Sequence, residues 1–225
     1  MRGVFVTGTD TGVGKSVLSA AIAAALKSRG EDVAASKPVL TGTEETPGLW
    51  PPDDVLLATA TGQEPDEVTA LRFGPPVSPH LAAEQAGVAL ELDALLPRAR
   101  AEVLVVEGVG GLLVPLGARA TVRDLAAAIG LPVVVAARPG LGTINHTLLT
   151  LEAARTAGLD VRGVVMTPWP GHSDPMAESN QRTVELIGNV PVTTLPAIAG
   201  DDLAEAGSQL PLDDWLHRDE GDHAA

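Results

Sequence analysis

The sequence predicts an α/β fold: a single doubly wound, mostly parallel sheet with helices on both faces. Three observations lead to this fold class. Short β-type runs alternate with helix-forming stretches along the chain. Several of these runs are continuously apolar, which is typical of strands buried on both faces of a parallel sheet. A glycine-rich loop ending in Gly-Lys-Ser joins the first strand to the first helix, which indicates a P-loop NTPase-like protein.

The first elements are marked by clear start and stop signals. A strand at residues 3–8 ends in glycine and precedes a helix at 16–29, which has no internal Gly or Pro and a glycine just past its end. A second strand at 33–37 is closed by a proline. The segment 43–52 is rich in Pro, Glu and Gly, and we expect it to be a surface loop.

The later part of the chain continues the same alternation, which implies right-handed crossovers within one sheet. We predict one domain over residues 1–225, with 217–225 as a flexible tail, because residues 201–222 carry eight acidic residues and one basic residue. The remaining predicted strands are 103–107, 132–137, 161–166 and 190–195, and the remaining predicted helices are 145–157 and 176–187.

Composition excludes several classes of function. The 225 residues include 45% hydrophobic residues, enough for a sizeable core, but carry a net charge of −14. That charge argues against nucleic acid or an anionic membrane as a partner. With no cysteine, disulfides, thiolate zinc sites and cysteine nucleophiles are excluded. We see neither a secretory signal nor a membrane-spanning run, so a cytoplasmic protein is predicted.

A phosphate-binding loop is predicted at residues 8–16, between the first strand and the first helix. Glycines there let backbone N–H groups turn toward an anion, and the helix dipole adds a positive field. Lys15 would reach the phosphates of a nucleotide, and the Ser16 hydroxyl would bind Mg²⁺. The usual GxxxxGK[ST] pattern has its first glycine where this chain has Thr9, one residue after Gly8. A glycine-rich turn with an incidental lysine is the alternative.

Charged residues at the ends of other strands are predicted to join this loop, because such sheets bind ligands at the carboxyl ends of their strands. Lys37 would hold a transferring phosphoryl group or an anionic intermediate. Glu107 ends a buried strand, and with Ser16 and Asp54 it would supply oxygen ligands to Mg²⁺. The alternatives are a surface lysine, a solvated strand end and, for Asp53 and Asp54, helix N-capping.

The segment 140–146, Gly-Leu-Gly-Thr-Ile-Asn-His, follows another buried strand. Thr143 or Asn145 would cap the next helix. A helix N-terminus with free N–H groups also suits a carboxylate, and both interpretations stay open at this point.

Together these motifs resemble the dethiobiotin synthase family, the ATP-dependent enzymes of biotin synthesis. A phosphate loop alone is unspecific, whereas this combination in the family's order and spacing is highly specific. The resemblance covers about residues 3–170, weakens toward residue 200, and rests on FVTGTDTGVGKS, KPVLTGTEE, PPVSPHLAAEQAG, VVEGVGGLLVPL and LGTINHTLLT.

The resemblance implies a Mg²⁺-dependent reaction of 7,8-diaminononanoate with CO₂ (or bicarbonate) and ATP or another nucleoside triphosphate. One amine takes up CO₂ as a carbamate, which then accepts the γ-phosphoryl group. The second amine closes the urea ring of dethiobiotin, with release of phosphate. The resemblance also implies a homodimer with the substrate site at the subunit interface.

The family's functional residues map onto matching positions of this chain. Its catalytic lysine maps onto Lys37, which acts beside Lys15, and Thr41 stands where the family usually has serine. The nucleotide positions are Gly12, Val13, Gly14, Lys15, Ser16, Val17, Asp54, Glu107, Gly108, Val109 and Gly110, of which Ser16, Asp54 and Glu107 would bind the metal. The substrate positions are Thr11, Lys37 and Thr41, with Thr143, Ile144 and Asn145 from the other subunit.

One departure concerns the nucleotide base. Some family members read adenine with an Asn-Asp pair where this chain has Thr167 and Pro168. Threonine offers one hydroxyl and proline lacks an N–H, so we expect loose base discrimination. Pro196, Ala197 and Ile198 are expected to pack near the base.

Two other classes of protein are alternatives. A switch ATPase of the partition type has a related loop, but carries a lysine where this chain has Asp10. An amidotransferase-like synthetase acting on cobyrinate-type substrates normally includes a glutaminase domain, and 225 cysteine-free residues leave no room for a cysteine-based one.

Overall fold

The computed structural model describes residues 2–46, 48–200 and 202–216, and its main sheet is entirely parallel. Six strands form this sheet in the order β2-β5-β1-β6-β7-β8, and β3 pairs with β4 in a separate parallel ribbon. The predicted doubly wound α/β fold is confirmed. The strands are β1 (Arg2–Gly8), β2 (Val33–Ser36), β3 (Val39–Thr41), β4 (Leu71–Phe73), β5 (Val103–Glu107), β6 (Val133–Ala137), β7 (Val161–Trp169) and β8 (Val192–Pro196).

Helices connect these strands, and each helix and strand predicted from the sequence is present with slightly shifted ends. In the described part of segment 43–52 neither helix nor strand forms, while the predicted tail 217–225 lies outside the described residues. Within the described ranges, no helix is long and apolar enough to cross a membrane. The helices are α1 (Lys15–Ser28), α2 (Asp53–Thr61), α3 (Pro65–Val68), α4 (Pro79–Ala86), α5 (Val122–Ile129), α6 (Thr143–Thr156), α7 (Pro175–Gly188), α8 (Leu203–Ser208) and α9 (Leu212–Leu216).

Two hydrophobic cores lie on the two faces of the sheet, because side chains alternate along each strand. On β1, Val4 and Val6 pack against α1, α2, α8 and α9. Phe5 points the other way and packs in the core that contains residues of α4, α5, α6 and α7. Since both faces are covered, the strands are continuously apolar, and the polar residues that remain are placed at their carboxyl ends.

Two helix starts differ from the capping predicted from the sequence. Helix α2 begins at Asp53 itself with Pro52 at the N-cap, so neither Asp53 nor Asp54 is the cap. Helix α6 begins at Thr143 with Gly142 at the N-cap in a left-handed conformation (φ 90°), which a glycine adopts without strain. The side chains of Asp53, Asp54 and Thr143 therefore do not act as N-caps of these helices.

The packing of α8 on α1 depends on a glycine inside α8. A Cβ atom added at Gly207 would overlap the carbonyl oxygen of Ala21 and lie 2.9 Å from the Ala25 Cβ atom. In an exposed helix, replacing glycine by alanine stabilises by about 1 kcal/mol. Here the contact with the α1 backbone reverses that preference, because a backbone atom cannot move aside cheaply.

We therefore expect Gly207→Ala to lower the free energy of unfolding by about 2 kcal/mol, measured by denaturant titration. Gly171→Ala is the matched control, because nothing lies within 4 Å of an added Cβ there, and its effect should stay within about 0.5 kcal/mol. Equal stability of the two variants would contradict the close packing of α8 on α1.

Candidate nucleotide-binding and catalytic site

The loop between β1 and α1 has the backbone conformation of an anion cradle. Gly12 (φ 71°) and Gly14 (φ 89°) both occupy the left-handed region, which explains the glycines at these positions. Val13 is fully buried in the core and anchors the loop from below. A Cβ at Gly8 would meet the side chains of Val13 (2.8 Å) and Lys15 (3.1 Å), so the glycine one residue ahead of the usual pattern has a packing role.

Lys15 begins α1 and is almost completely buried at the base of this loop. Its Nζ atom donates a hydrogen bond to the carbonyl oxygen of Asp10 at 2.9 Å. The Asp10 carboxylate also lies 3.6 Å from Arg138, which follows β6. Asp10, in the first part of the loop, thus contacts both Lys15 and the residue that follows β6.

Lys37 lies between two carboxylates beside this loop. Its Nζ atom forms ion pairs with Asp53 and, at 2.7 Å, with Glu107 Oε1. Ser16 Oγ donates to the same Glu107 oxygen at 2.8 Å. Lys37 is 3% exposed and Glu107 1% exposed, so these charges are compensated by one another rather than by water.

Burial and charge set the protonation of this cluster. Burial favours the neutral form of Lys37, but Glu107 and Asp53 outweigh it and raise the Lys37 pKa above its ordinary value. Burial lowers the pKa of Lys15 to about 8. The negative charge of Glu107 opposes this shift, and the positive charge of Lys37 adds to it. For Glu107 burial dominates and raises the pKa, whereas Lys37 keeps the pKa of Asp53 low despite burial. Both lysines therefore interact with the charges of the same two carboxylates.

The donor set of this cluster fits a magnesium ion. Glu107 Oε2 is buried and, among the described residues, has no hydrogen-bond partner. Ser16 and Asp53 stand beside Glu107. No group of three or more His, Asp and Glu side chains assembles in the described ranges, so a closed all-protein cage is not formed there. Two carboxylates and a hydroxyl, completed by phosphates and water, are the set that Mg²⁺ commonly uses.

Asp54, the metal ligand predicted from the sequence, does not join this cluster. Its Oδ2 atom accepts a hydrogen bond of 2.7 Å from Arg72, and its carboxylate is nearly buried in that ion pair. Consecutive residues of a helix point about 100° apart, so only one of the two neighbours can face Lys37. In the structure this residue is Asp53, whereas the set of metal ligands predicted from the sequence contains Asp54.

The positions expected to bind substrate differ in their exposure. Thr11 is exposed, and Gly110 approaches it so closely that an added Cβ would lie 3.4 Å from the Thr11 hydroxyl. Thr41 is partly exposed at the end of β3. At α6, Thr143 is buried and its hydroxyl lies 3.4 Å from that of Thr147, while Asn145 is exposed and Ile144 partly so.

A small cavity connects the phosphate loop with the start of α6. Its volume is about 190 Å³, and its lining includes Thr9 of the loop and Thr143 of the helix. Arg138 and His146 also line it and were not singled out by the sequence motifs for this purpose. Their positions were unpredictable because each becomes a neighbour of the loop only through the β1–β6 pairing.

The residues expected near the base occupy different environments. Thr167 is buried, and its methyl group is 2.8 Å from the position of a Cβ on Gly14, so it packs beneath the phosphate loop. Pro196 and Ala197 are exposed, whereas Ile198 is buried in the core beside α1. Thr167 and Ile198 thus have packing roles that the motif comparison did not indicate.

Comparison with known proteins places the fold and loop in a general class. A family model described as "AAA domain" matches residues 2–197. A ParA family ATPase from Chlorobium tepidum aligns with a TM-score of 0.57 at 13% identity, covering 96% of this chain and 98% of that one. The signal recognition particle receptor FtsY from Elizabethkingia anophelis aligns with a TM-score of 0.53 at 15% identity, covering 96% and 65%. At these identities the likeness shows the P-loop α/β fold alone.

Sequence relatives define the family more narrowly. ATP-dependent dethiobiotin synthetase BioD of Anaeromyxobacter dehalogenans is 44% identical over 204 residues, 87% of this chain and 90% of that protein. The enzymes of the same name from Mycobacterium avium (44%, covering 84% and 85%) and Bacillus subtilis subsp. natto (36%, covering 85% of each) are similar. The chain belongs to the ATP-dependent dethiobiotin synthetase family, which confirms the predicted resemblance and the ligase class.

We expect the lowered pKa of Lys15 to make nucleotide binding dependent on pH. The ammonium is charged below about pH 8 and loses its proton as the pH rises through that value. We expect ADP affinity, measured by calorimetry in EDTA, to weaken about tenfold from about pH 7.5 to about pH 9.5. Lys15→Arg keeps its charge over this range and should remove the dependence, whatever its absolute affinity. An affinity that is constant with pH in the unaltered protein would contradict a proton lost from Lys15.

Proposed function

We propose that the protein is a dethiobiotin synthase acting in biotin biosynthesis. It would convert 7,8-diaminononanoate, CO₂ and a nucleoside triphosphate into dethiobiotin, a nucleoside diphosphate and phosphate, with Mg²⁺ as cofactor. The observation that carries this proposal is the buried cluster beside the phosphate loop, in which Lys37 forms ion pairs with Asp53 and Glu107 and Lys15 interacts with the charges of the same two carboxylates. Family membership supports the choice of reaction.

The two lysines address the main electrostatic difficulty of this reaction. A carbamate is an anion, and it must approach an anionic triphosphate before the γ-phosphoryl group can move to it. Lys15 stands at the phosphate loop and Lys37 at the end of β2, so positive charge is supplied from both sides of the transfer. Because Lys37 is buried, its charge acts through a medium less polarisable than water and is already oriented.

The metal would be held by Ser16, Asp53 and Glu107. Asp53 replaces Asp54 in this proposal because its carboxylate faces Lys37, whereas that of Asp54 is bound by Arg72. The free Oε2 atom of Glu107 gives the set an oxygen not used by a hydrogen bond among the described residues. When bound, Mg²⁺ would neutralise charge that develops on the phosphate oxygens.

The diamine would lie between the phosphate loop and the ends of β3 and β5. Thr11 and Thr41 offer hydroxyls there, and the backbone at Gly110 passes close to Thr11. Once the carbamate carries the phosphoryl group, the second amine attacks its carbon and phosphate leaves. The loop and Lys37 would hold the departing phosphate, since the loop offers backbone N–H groups and Lys37 already binds carboxylate oxygens.

A homodimer would complete the substrate site. The proposal is that α6 of the partner presents its first turn, Thr143 to Asn145 in this chain's numbering, to the substrate carboxylate. Leu141 is 95% exposed immediately before this turn, and Leu149 on the same helix is 57% exposed. Apolar side chains of this size next to a polar helix start are suited to a subunit interface.

The direct test is product formation. The purified protein with the diamine, bicarbonate, Mg²⁺ and ATP should yield dethiobiotin detectable by mass spectrometry, with one phosphate released per product. ATP turnover without the diamine should be small, in contrast to a switch ATPase that responds to a macromolecular partner. Product absent under these conditions would contradict the proposed reaction.

Lys37→Gln tests the assignment of the transferring lysine. Its side chain keeps a polar head group but no charge, so we expect turnover to fall by about a hundredfold or more. Affinity for the Mg²⁺–nucleotide complex, measured by calorimetry, should be retained because Lys15 and the loop are unchanged. Nearly normal turnover of this variant would remove Lys37 from catalysis.

Base selection provides a further test. Thr167 packs beneath the phosphate loop and Pro168 offers no N–H, so neither supplies an amide for adenine. We expect kcat/KM for ATP, CTP and GTP to lie within about tenfold of one another. A preference for ATP of about a thousandfold would require a base-reading group elsewhere.

A further inference from the structure

We propose that Arg72 is a positioning residue of the phosphoryl-transfer site. By binding Asp54 it turns the neighbouring Asp53 toward Lys37 and the proposed metal. The inference rests on the proposed metal-assisted function, which it deepens by naming what selects one of two adjacent carboxylates. Arg72 touches none of the proposed reacting groups, so it is not a catalytic residue.

Arg72 is held at three points. Its Nε atom donates to Asp54 Oδ2 at 2.7 Å, its Nη2 atom to the carbonyl oxygen of Pro65 at 2.7 Å, and its Nη1 atom lies 2.8 Å from Asp66 Oδ1. Its backbone pairs with Leu40 of β3. The planar guanidinium therefore joins the first turn of α2 to α3 and to the β3–β4 ribbon.

The consequence for Asp53 follows from helix geometry. Asp53 and Asp54 are the first two residues of α2, and their side chains leave the helix about 100° apart. Fixing Asp54 on Arg72 also fixes the rotation of this turn, and with it the direction of Asp53. The residues after Lys37 form β3, and β3 pairs with β4, the strand that contains Arg72. The positions of Lys37 and of Asp53 are therefore both fixed relative to the β3–β4 ribbon.

Charge gives Arg72 a second effect on the site. Asp54 is only 5% exposed, and a buried carboxylate needs a cation. Arg72 supplies it from outside the cluster, and so prevents Asp54 from competing for Lys37 or for the metal. The Nη1 atom of Arg72 contacts Asp66, whose side chain is 92% exposed. Water screens this ion pair, so it contributes little to stability.

Calorimetric titration of ADP at a series of Mg²⁺ concentrations, and in EDTA, tests the proposal with the full chain. We expect Arg72→Gln and Asp53→Asn each to raise the Mg²⁺ concentration for half-maximal enhancement of ADP binding by about tenfold. Affinity in EDTA should change by less than about twofold, since the loop and Lys15 are untouched. A merely structural role would weaken both affinities together.

Three controls sharpen this result. Asp66→Asn should match the unaltered protein within about twofold, because its side chain is exposed. Asp54→Asn breaks the same ion pair from the other side and should also raise the Mg²⁺ requirement, and combining it with Arg72→Gln should give no larger loss than Arg72→Gln alone. If Arg72→Gln fails to unfold cooperatively on heating, Arg72→Lys replaces it, because a lysine cannot reproduce the contacts of the planar guanidinium.

Loss of Mg²⁺ dependence in Asp54→Asn but not in Asp53→Asn would overturn the proposal, because Asp54 would then be the ligand itself. A normal Mg²⁺ dependence in Arg72→Gln would also overturn it. Neither measurement uses the diamine. Failure of this inference is therefore distinguishable from failure of the proposed reaction, which only product detection decides.

Discussion

The ion pair between Lys37 and Glu107 is the interaction on which the rest of the site depends. Both groups are withdrawn from water, and each lowers the free-energy cost of burying the charge of the other. Ser16 and Asp53 bind the same pair, and Lys15 is repelled by one member and attracted by the other. The cluster therefore has to be assembled as a unit, and its geometry determines where a phosphoryl group can be received.

The parallel sheet makes this assembly possible. The members of the cluster lie far apart in sequence, but three of the segments that carry them follow or end β1, β2 and β5, which are neighbours in the sheet. Apolar strands covered on both faces leave only their carboxyl ends for polar groups. Helix α2 then brings a carboxylate from a connecting segment, and Arg72 fixes the direction of that carboxylate.

Local sequence signals were sufficient for the central part of this arrangement. The strand, the glycine-rich loop and Lys15 form one continuous motif, and Lys37 and Glu107 end strands recognisable from their apolar runs. The choice between Asp53 and Asp54 could not be predicted, because it depends on Arg72, a residue of a three-residue strand too short to show a periodicity. Thr167 under Gly14 was equally inaccessible, since that contact joins β7 to the phosphate loop only in the folded chain.

The most direct measurement is a crystal structure with Mg²⁺ and a non-hydrolysable triphosphate analogue, from which the distances between the terminal phosphate and the two lysine Nζ atoms are read. If one pocket supplies both cations to the transfer, each ammonium should lie at about 3 Å from a terminal phosphate oxygen. Should Lys37 stay in a separate cavity, out of reach of the phosphate that Lys15 binds, the account would be contradicted.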